Sequence, residues 1–119
     1  MKTIKLFLLT IMLATISGTL FAQTTSGTSG NQKTSTFKVW GKCDMCKNRI
    51  EQGLKINGIN KAAWDEKTQL ATVTFDPSKT NIEAMQKKLA SIGHDTEKFK
   101  ASDDAYSRLP DCCHYERTR

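Results

Sequence analysis

Phe37-Lys38-Val39-Trp40-Gly41-Lys42-Cys43-Asp44-Met45-Cys46 is the stretch in which the residue pattern changes period. Phe37 and Val39 alternate with Lys38 and Trp40, the period-two signature of a short strand with one buried face. Gly41 and Lys42 then lead into the two cysteines. From Cys46 onward the apolar or small positions Cys46, Ile50, Gly53 and Leu54 recur at helical spacing, with Lys47, Asn48, Glu51, Gln52 and Lys55 on the other faces. Asn57 and Gly58 stop that helix. The sequence therefore places two thiols on a loop that leaves a strand and opens a helix.

Continuing toward the C-terminus, a second strand is expected through residues 59–64 and a third through residues 70–75, joined by the polar turn Asp65, Glu66, Lys67 and Thr68. In the third strand Ala71, Val73 and Phe75 share one face, while Leu70, Thr72 and Thr74 share the other. Asp76-Pro77 ends the hairpin. Thr80 with Glu83 reads as a capping box for a second helix, whose stripe is Ile82, Met85, Leu89 and Ile92 and whose stop is Gly93. A last short strand is expected around residues 96–99. Strand, helix, strand, strand, helix, strand describes an α+β domain, an antiparallel sheet with both helices on one face.

The chemistry of the first helix start follows from its residues. Two thiols three positions apart converge on one point, and the unpaired backbone N–H groups and the helix dipole favour thiolate there. Thiolates suit soft ions, and a two-sulfur loop suits Cu(I), which tolerates low coordination, over Ca(II) or Mg(II), which require hard oxygen. Lys42 and Lys47 flank the pair and are expected to lower the thiol pKa values. An exposed loop also lets another protein's thiols attack the bound ion, so release proceeds by ligand exchange.

On the N-terminal side, residues 23–35 are almost all Thr, Ser, Gly, Asn and Gln, which reads as a flexible linker, with ordered structure expected from about Thr36. Residues 1–22 have the pattern of a secretory signal: Lys2 and Lys5, an apolar run over residues 6–16, then Ser17-Gly18-Thr19 and a cleavage point after Ala22. The run is short for a membrane span, which needs about 20 apolar residues. No cysteine precedes Cys43, so no lipid-bearing cysteine is available at the cut. The expected product is a periplasmic or secreted monomer without stable membrane insertion. The formal charge of +6 includes Lys2 and Lys5, and the other cations are interleaved with acids along the chain, which is a solvated surface and not a nucleic-acid-binding face.

With these elements in place, residues 37–99 resemble the heavy-metal-associated domain of copper chaperones, metal-ATPase amino-terminal modules and periplasmic mercury-binding proteins. The residues that carry the resemblance are the opening stretch, then Ile50, Leu54, Gly58-Ile59, Val73, Phe75-Asp76-Pro77 and Ile92-Gly93-His94. The resemblance implies a ferredoxin-like βαββαβ fold over residues 36–100 and a metal held by Cys43 and Cys46. Cu(I) is the expected ion, with Hg(II) or Zn(II) as alternatives. A metal-transport protein or metal-ATPase-like module is the implied partner, reached by thiol ligand exchange. One departure stands out: the family usually carries Met two residues before the first cysteine, where this chain has Gly41, and Met45 lies between the cysteines instead.

Four further features bear on the site. Met45 is expected to tuck under the loop in place of the missing Met, with a thioether ligand as the other reading. Asp44 reads as a solvated carboxylate. His94 falls where the resemblance places a loop facing the cysteines; it reads as a surface histidine, or as a third ligand or a group bonding a sulfur. The tail, residues 101–119, lies beyond the family domain: a short helix over residues 103–109 would lay Tyr106 and Leu109 on the domain, and Cys112, Cys113 and His114 would then form a second site or share the first. Two alternatives to metal carriage remain open at this level, a thiol-disulfide oxidoreductase using Cys43 and Cys46 and a domain stapled by two disulfides.

Overall fold

The computed structural model describes residues 31–117, so the expected leader and most of the expected linker lie outside the described residues. Within them the elements run β1 (Lys33–Lys38), α1 (Asp44–Gly53), β2 (Ile59–Asp65), β3 (Leu70–Phe75), α2 (Ile82–Ser91), α3 (Asp103–Ser107) and a single 3-10 turn (Asp111–Cys113). The sheet is antiparallel with β3 in the centre, between β1 and β2. This is the expected α+β arrangement, a ferredoxin-like fold with both helices packed on one face of the sheet.

Alternation decides which face is inward. Phe37 and Val39, Trp64, and Ala71, Val73 and Phe75 are buried, and they pack with Cys46, Ile50 and Leu54 of the first helical segment and Met85 and Leu89 of α2 in one core. Each such large aliphatic or aromatic side chain contributes about 1.5–3 kcal/mol on burial. The outward face is polar and is tied by threonine pairs, Thr34 to Thr74 at 3.0 Å and Thr36 to Thr72 at 3.3 Å. These pairs explain a first difference from expectation. Strand β1 starts at Lys33, which pairs with Phe75, so residues 33–35 belong to the sheet and not to the linker. Their lack of apolar residues reflects an open face.

A second difference concerns the expected strand at residues 96–99. Only a single bridge forms, between Val39 and Thr96. The Thr96 N–H donates to the Phe99 carbonyl at 2.7 Å and the Phe99 N–H to the Thr96 hydroxyl oxygen at 3.1 Å, closing a tight turn. Gln86 completes it from α2, its Oε1 accepting from the Thr96 hydroxyl and the Lys98 N–H. Backbone groups spent on this turn are not available to a fourth strand. The second helix also starts one residue later than the capping box suggests: Asn81 is the cap, its side-chain oxygen accepting from the Ala84 N–H at 2.8 Å.

No helix among the described residues is long and apolar enough to cross a membrane.

Candidate metal centre

Cys43 is the capping residue of α1, in extended conformation (φ −144°, ψ 174°), and Cys46 lies one turn in, on the buried face. The backbone leading to Cys43 is held from the far end of the β2–β3 hairpin. Gln69, at a positive φ of 60°, donates its side-chain amide to the Gly41 carbonyl and accepts from the Gly41 N–H. Its own carbonyl accepts from the Val39 N–H at 2.9 Å. The aromatic ring of Trp64 lies directly under the loop, with its indole N–H on the Val39 carbonyl at 3.0 Å. A Cβ at position 41 would meet that ring at 2.9 Å, so Trp64 fills the space that a side chain at position 41 would need.

Met45 accordingly does not tuck into the core. Its side chain is 49% exposed, and its sulfur faces the Cys112 thiol at 3.6 Å. The space under the loop is already filled by Trp64, which is why the expectation of a buried Met45 fails. Asp44 is exposed in the first turn of the helix, as a solvated carboxylate would be. Lys47 is turned away from the sulfurs: its ammonium bonds Glu51 and the Trp64 carbonyl, both at 2.7 Å.

The tail folds back onto this loop. Gly93, at φ 105°, lets it do so, since a Cβ there would stand 2.8 Å from the Ala105 carbonyl oxygen and 2.9 Å from Leu109. Tyr106 and Leu109 pack on the domain, as the helix reading anticipated. Beyond them Tyr115 is buried, its hydroxyl donating to the Gly93 carbonyl and accepting from the Asp95 N–H, both at 2.8 Å. Arg117 closes the segment with two bonds to the Asp95 carboxylate, each 2.9 Å. Between these anchors Pro110 and the 3-10 turn deliver Cys112 and Cys113 to the mouth of the loop.

Four thiols meet there. The Cys43 sulfur is 3.6 Å from Cys46, 3.3 Å from Cys112 and 3.7 Å from Cys113, while Cys112 and Cys113 are 4.0 Å apart. All four are free thiols. Cys46 and Cys113 are fully buried, Cys43 is half-buried and Cys112 is exposed. Burial pushes the Cys43 thiol up, but the nearby Cys46 N–H and the surrounding thiols outweigh it and bring its pKa down to about 7. Contact with Cys43 raises Cys112, and burial followed by contact with Cys46 and Cys43 raises Cys113. Of Cys43, Cys112 and Cys113, Cys43 therefore ionises first. Hydrogen bonds, and not lysine charge, lead that lowering.

The histidines stand apart from the sulfurs. His94 is fully buried and is neither a surface residue nor one of the clustered ligand atoms. Its Nδ1 donates to the Trp40 carbonyl at 2.9 Å, its ring stacks on Tyr115, and its Nε2 is buried without a hydrogen-bond partner. The His114 ring lies against Tyr106, with centroids 5.1 Å apart, and it too is outside the thiol group. Of the predicted residues the fold therefore gathers Cys43, Cys46, Cys112 and Cys113. Sequence reasoning missed Gln69, Trp64, Asp95, Tyr115 and Arg117 as supports. For the last two, the available signal was anchoring side chains immediately after the tail thiols.

Residues 36–95 match the family model for the heavy-metal-associated domain. The chain belongs to this family. It is 34% identical over 77 residues to the mercuric transport protein periplasmic component of Shewanella putrefaciens, covering 63% of this chain and 85% of that protein. It is 37% identical over 59 residues to a copper-exporting P-type ATPase of Staphylococcus saprophyticus, covering 49% of this chain but only 7% of the ATPase. Among solved structures, oxidized MerP from Ralstonia metallidurans CH34 superposes with a TM-score of 0.53 at 29% identity, covering 56% of this chain and 94% of that one. The heavy-metal-associated fold and the sulfur cluster together decide between the readings left open by the sequence. The chain is a soft-metal binding and transfer domain and not an oxidoreductase.

Proposed function

We propose that this heavy-metal-associated chain is an exported carrier of Cu(I), taking the ion on Cys43 and Cys46 and passing it to a metal-ATPase-like module. The observation that carries the reading is the pair of sulfurs 3.6 Å apart at an open helix start. Soft sulfur donors and a low coordination number select Cu(I); Hg(II) and Zn(II) are the competing cargoes. The signal-like residues 1–22 and the likeness to a periplasmic mercuric transport component support a periplasmic or secreted site of action. The likeness to copper-exporting ATPases supports a module of that type as the exchange partner.

Transfer is ligand exchange without redox change. A thiolate of the acceptor bonds the ion as the bond to Cys43, the more exposed of the pair, breaks; Cys46 follows, and each released sulfur takes up a proton or keeps its charge according to pH. The test is anaerobic mixing of the Cu(I)-loaded chain with the amino-terminal module of a copper-exporting ATPase. Copper found on the module after separation supports the proposal, and copper retained entirely by this chain at equal concentrations contradicts it.

A further inference from the structure

On the outer side of Cys43 stands a sulfur group that the two-cysteine carrier does not use. Cys43, Cys112 and Cys113 form a triangle with sides of 3.3, 3.7 and 4.0 Å. Three bonds of about 2.3 Å in a trigonal arrangement place their sulfurs about 4.0 Å apart, so an ion enters this triangle with shifts well below 1 Å. The Met45 thioether stands 3.6 Å from Cys112 on the exposed side. Met45 is half-exposed on the first turn of the helix and lies outside the core, and its thioether is a donor for Cu(I) but a poor one for Zn(II). Nor is the tail laid down loosely: Leu109, Tyr115 and the Asp95–Arg117 pair fix the backbone on either side of both thiols.

Cys46 is fully buried, 3.6 Å from Cys43 and outside the group in which the Cys43, Cys112 and Cys113 sulfurs all lie within 4.8 Å of one another. A single Cu(I) takes two to four sulfurs, so one ion cannot serve all five of Cys46, Cys113, Cys43, Cys112 and Met45. We propose that Cys43, Cys112, Cys113 and Met45 form a second seat for a thiophilic ion, adjacent to the Cys43–Cys46 seat, with the Cys43 thiolate bridging two Cu(I) ions. The inference rests on the carrier reading above and adds a capacity to it: the tail turns a one-ion shuttle into a two-ion holder. Each ion enters as Cu(I), displaces thiol protons to solvent and stays Cu(I).

The experiment is anaerobic titration of the reduced full chain with Cu(I) against a chromophoric competitor, with the bound ions counted by native mass spectrometry. Wild type takes two equivalents. Cys112→Ser/Cys113→Ser takes one, through Cys43 and Cys46; Cys46→Ser also takes one, through the outer seat. Met45→Leu, a change on an exposed side chain that leaves the fold intact, keeps the first equivalent and weakens the second by about tenfold, the low end of the cost of removing a supporting group at a metal site. A wild type that saturates at one equivalent overturns the proposal, as does a tail variant that still takes two or an unchanged second equivalent in Met45→Leu. The carrier reading fails by a different result, a first equivalent bound equally well without Cys43 and Cys46.

Discussion

The ring of Trp64 stands 2.9 Å from the point where a Cβ on Gly41 would lie, so the two positions cannot both carry a large side chain. In this chain the tryptophan comes up from β2 to support the cysteine loop, and the residue two before Cys43 gives way to it. Gly41→Met therefore overfills the space and is expected to cost about 1–3 kcal/mol. Trp64→Leu alone leaves a cavity and costs a similar amount or more. The double variant recovers part of both losses, a coupling that urea unfolding of the four proteins measures directly.

The tail depends on Gly93 and Arg117. Gly93→Ala puts a methyl group against the Ala105 carbonyl and Leu109 in a backbone conformation that L-residues avoid. Arg117→Ala leaves the buried Asp95 carboxylate without its cation, at a cost of about 3 kcal/mol. Both changes are expected to free the tail while the sheet and its helices stay folded. Hydrogen exchange should accelerate over residues 101–115 and remain slow in β3.

Titration of the metal-free protein gives a third expectation. Cys43 alkylation should rise with a midpoint near pH 7, ahead of Cys112 and Cys113. Because the fold depresses this thiol from its usual 9.0, its contribution to stability is full above that value and fades as pH falls through about 7. Removing the Cys112 side-chain contact, which helps to lower Cys43, by Cys112→Ala should move the midpoint upward. A midpoint unchanged by that variant, followed by iodoacetamide kinetics, would remove the tail thiol from the network.

His94 sets a separate response to acid. Burial lowers its pKa, against the favourable bond to the Trp40 carbonyl, so the unfolded chain takes a proton more readily than the folded one. Stability from this residue is present above the unfolded value of 6.5 and declines as pH drops below it. His94→Gln keeps a donor without a titrating ring, so its melting temperature is expected to fall less steeply than that of wild type as the solution is acidified below pH 6.5. Thermal unfolding of the two proteins across that acid range checks this, and parallel curves would remove His94 from the response.

Much of this was legible in the sequence, and the exceptions share a cause. Strand β3 falls where alternation placed it, because Ala71, Val73 and Phe75 face a core that leaves no freedom of register. The cysteine loop was legible for the same reason, lying at the switch from period two to helical spacing. What was not legible depended on residues distant in the chain. Thr96 turns back on Phe99 because Gln86 receives it, and Met45 is exposed because Trp64 already fills the loop's underside. Gln69 clamps Gly41 across 28 positions from a left-handed turn conformation that no local pattern announces. The convergence of Cys112 and Cys113 on Cys43 needed the anchors at Tyr115 and Arg117, whose partners Gly93 and Asp95 lie in a loop with no sequence mark of that role.

The most direct measurement of the central claim is the Cu(I) affinity of reduced Cys112→Ser/Cys113→Ser, whose tail holds no thiol, beside that of the same chain also carrying Cys43→Ser/Cys46→Ser, by anaerobic competition titration. The account predicts that the second variant binds the ion at least about 1,000-fold more weakly, a loss of about 4 kcal/mol. Equal affinities in the two variants, with the same circular dichroism, would contradict it.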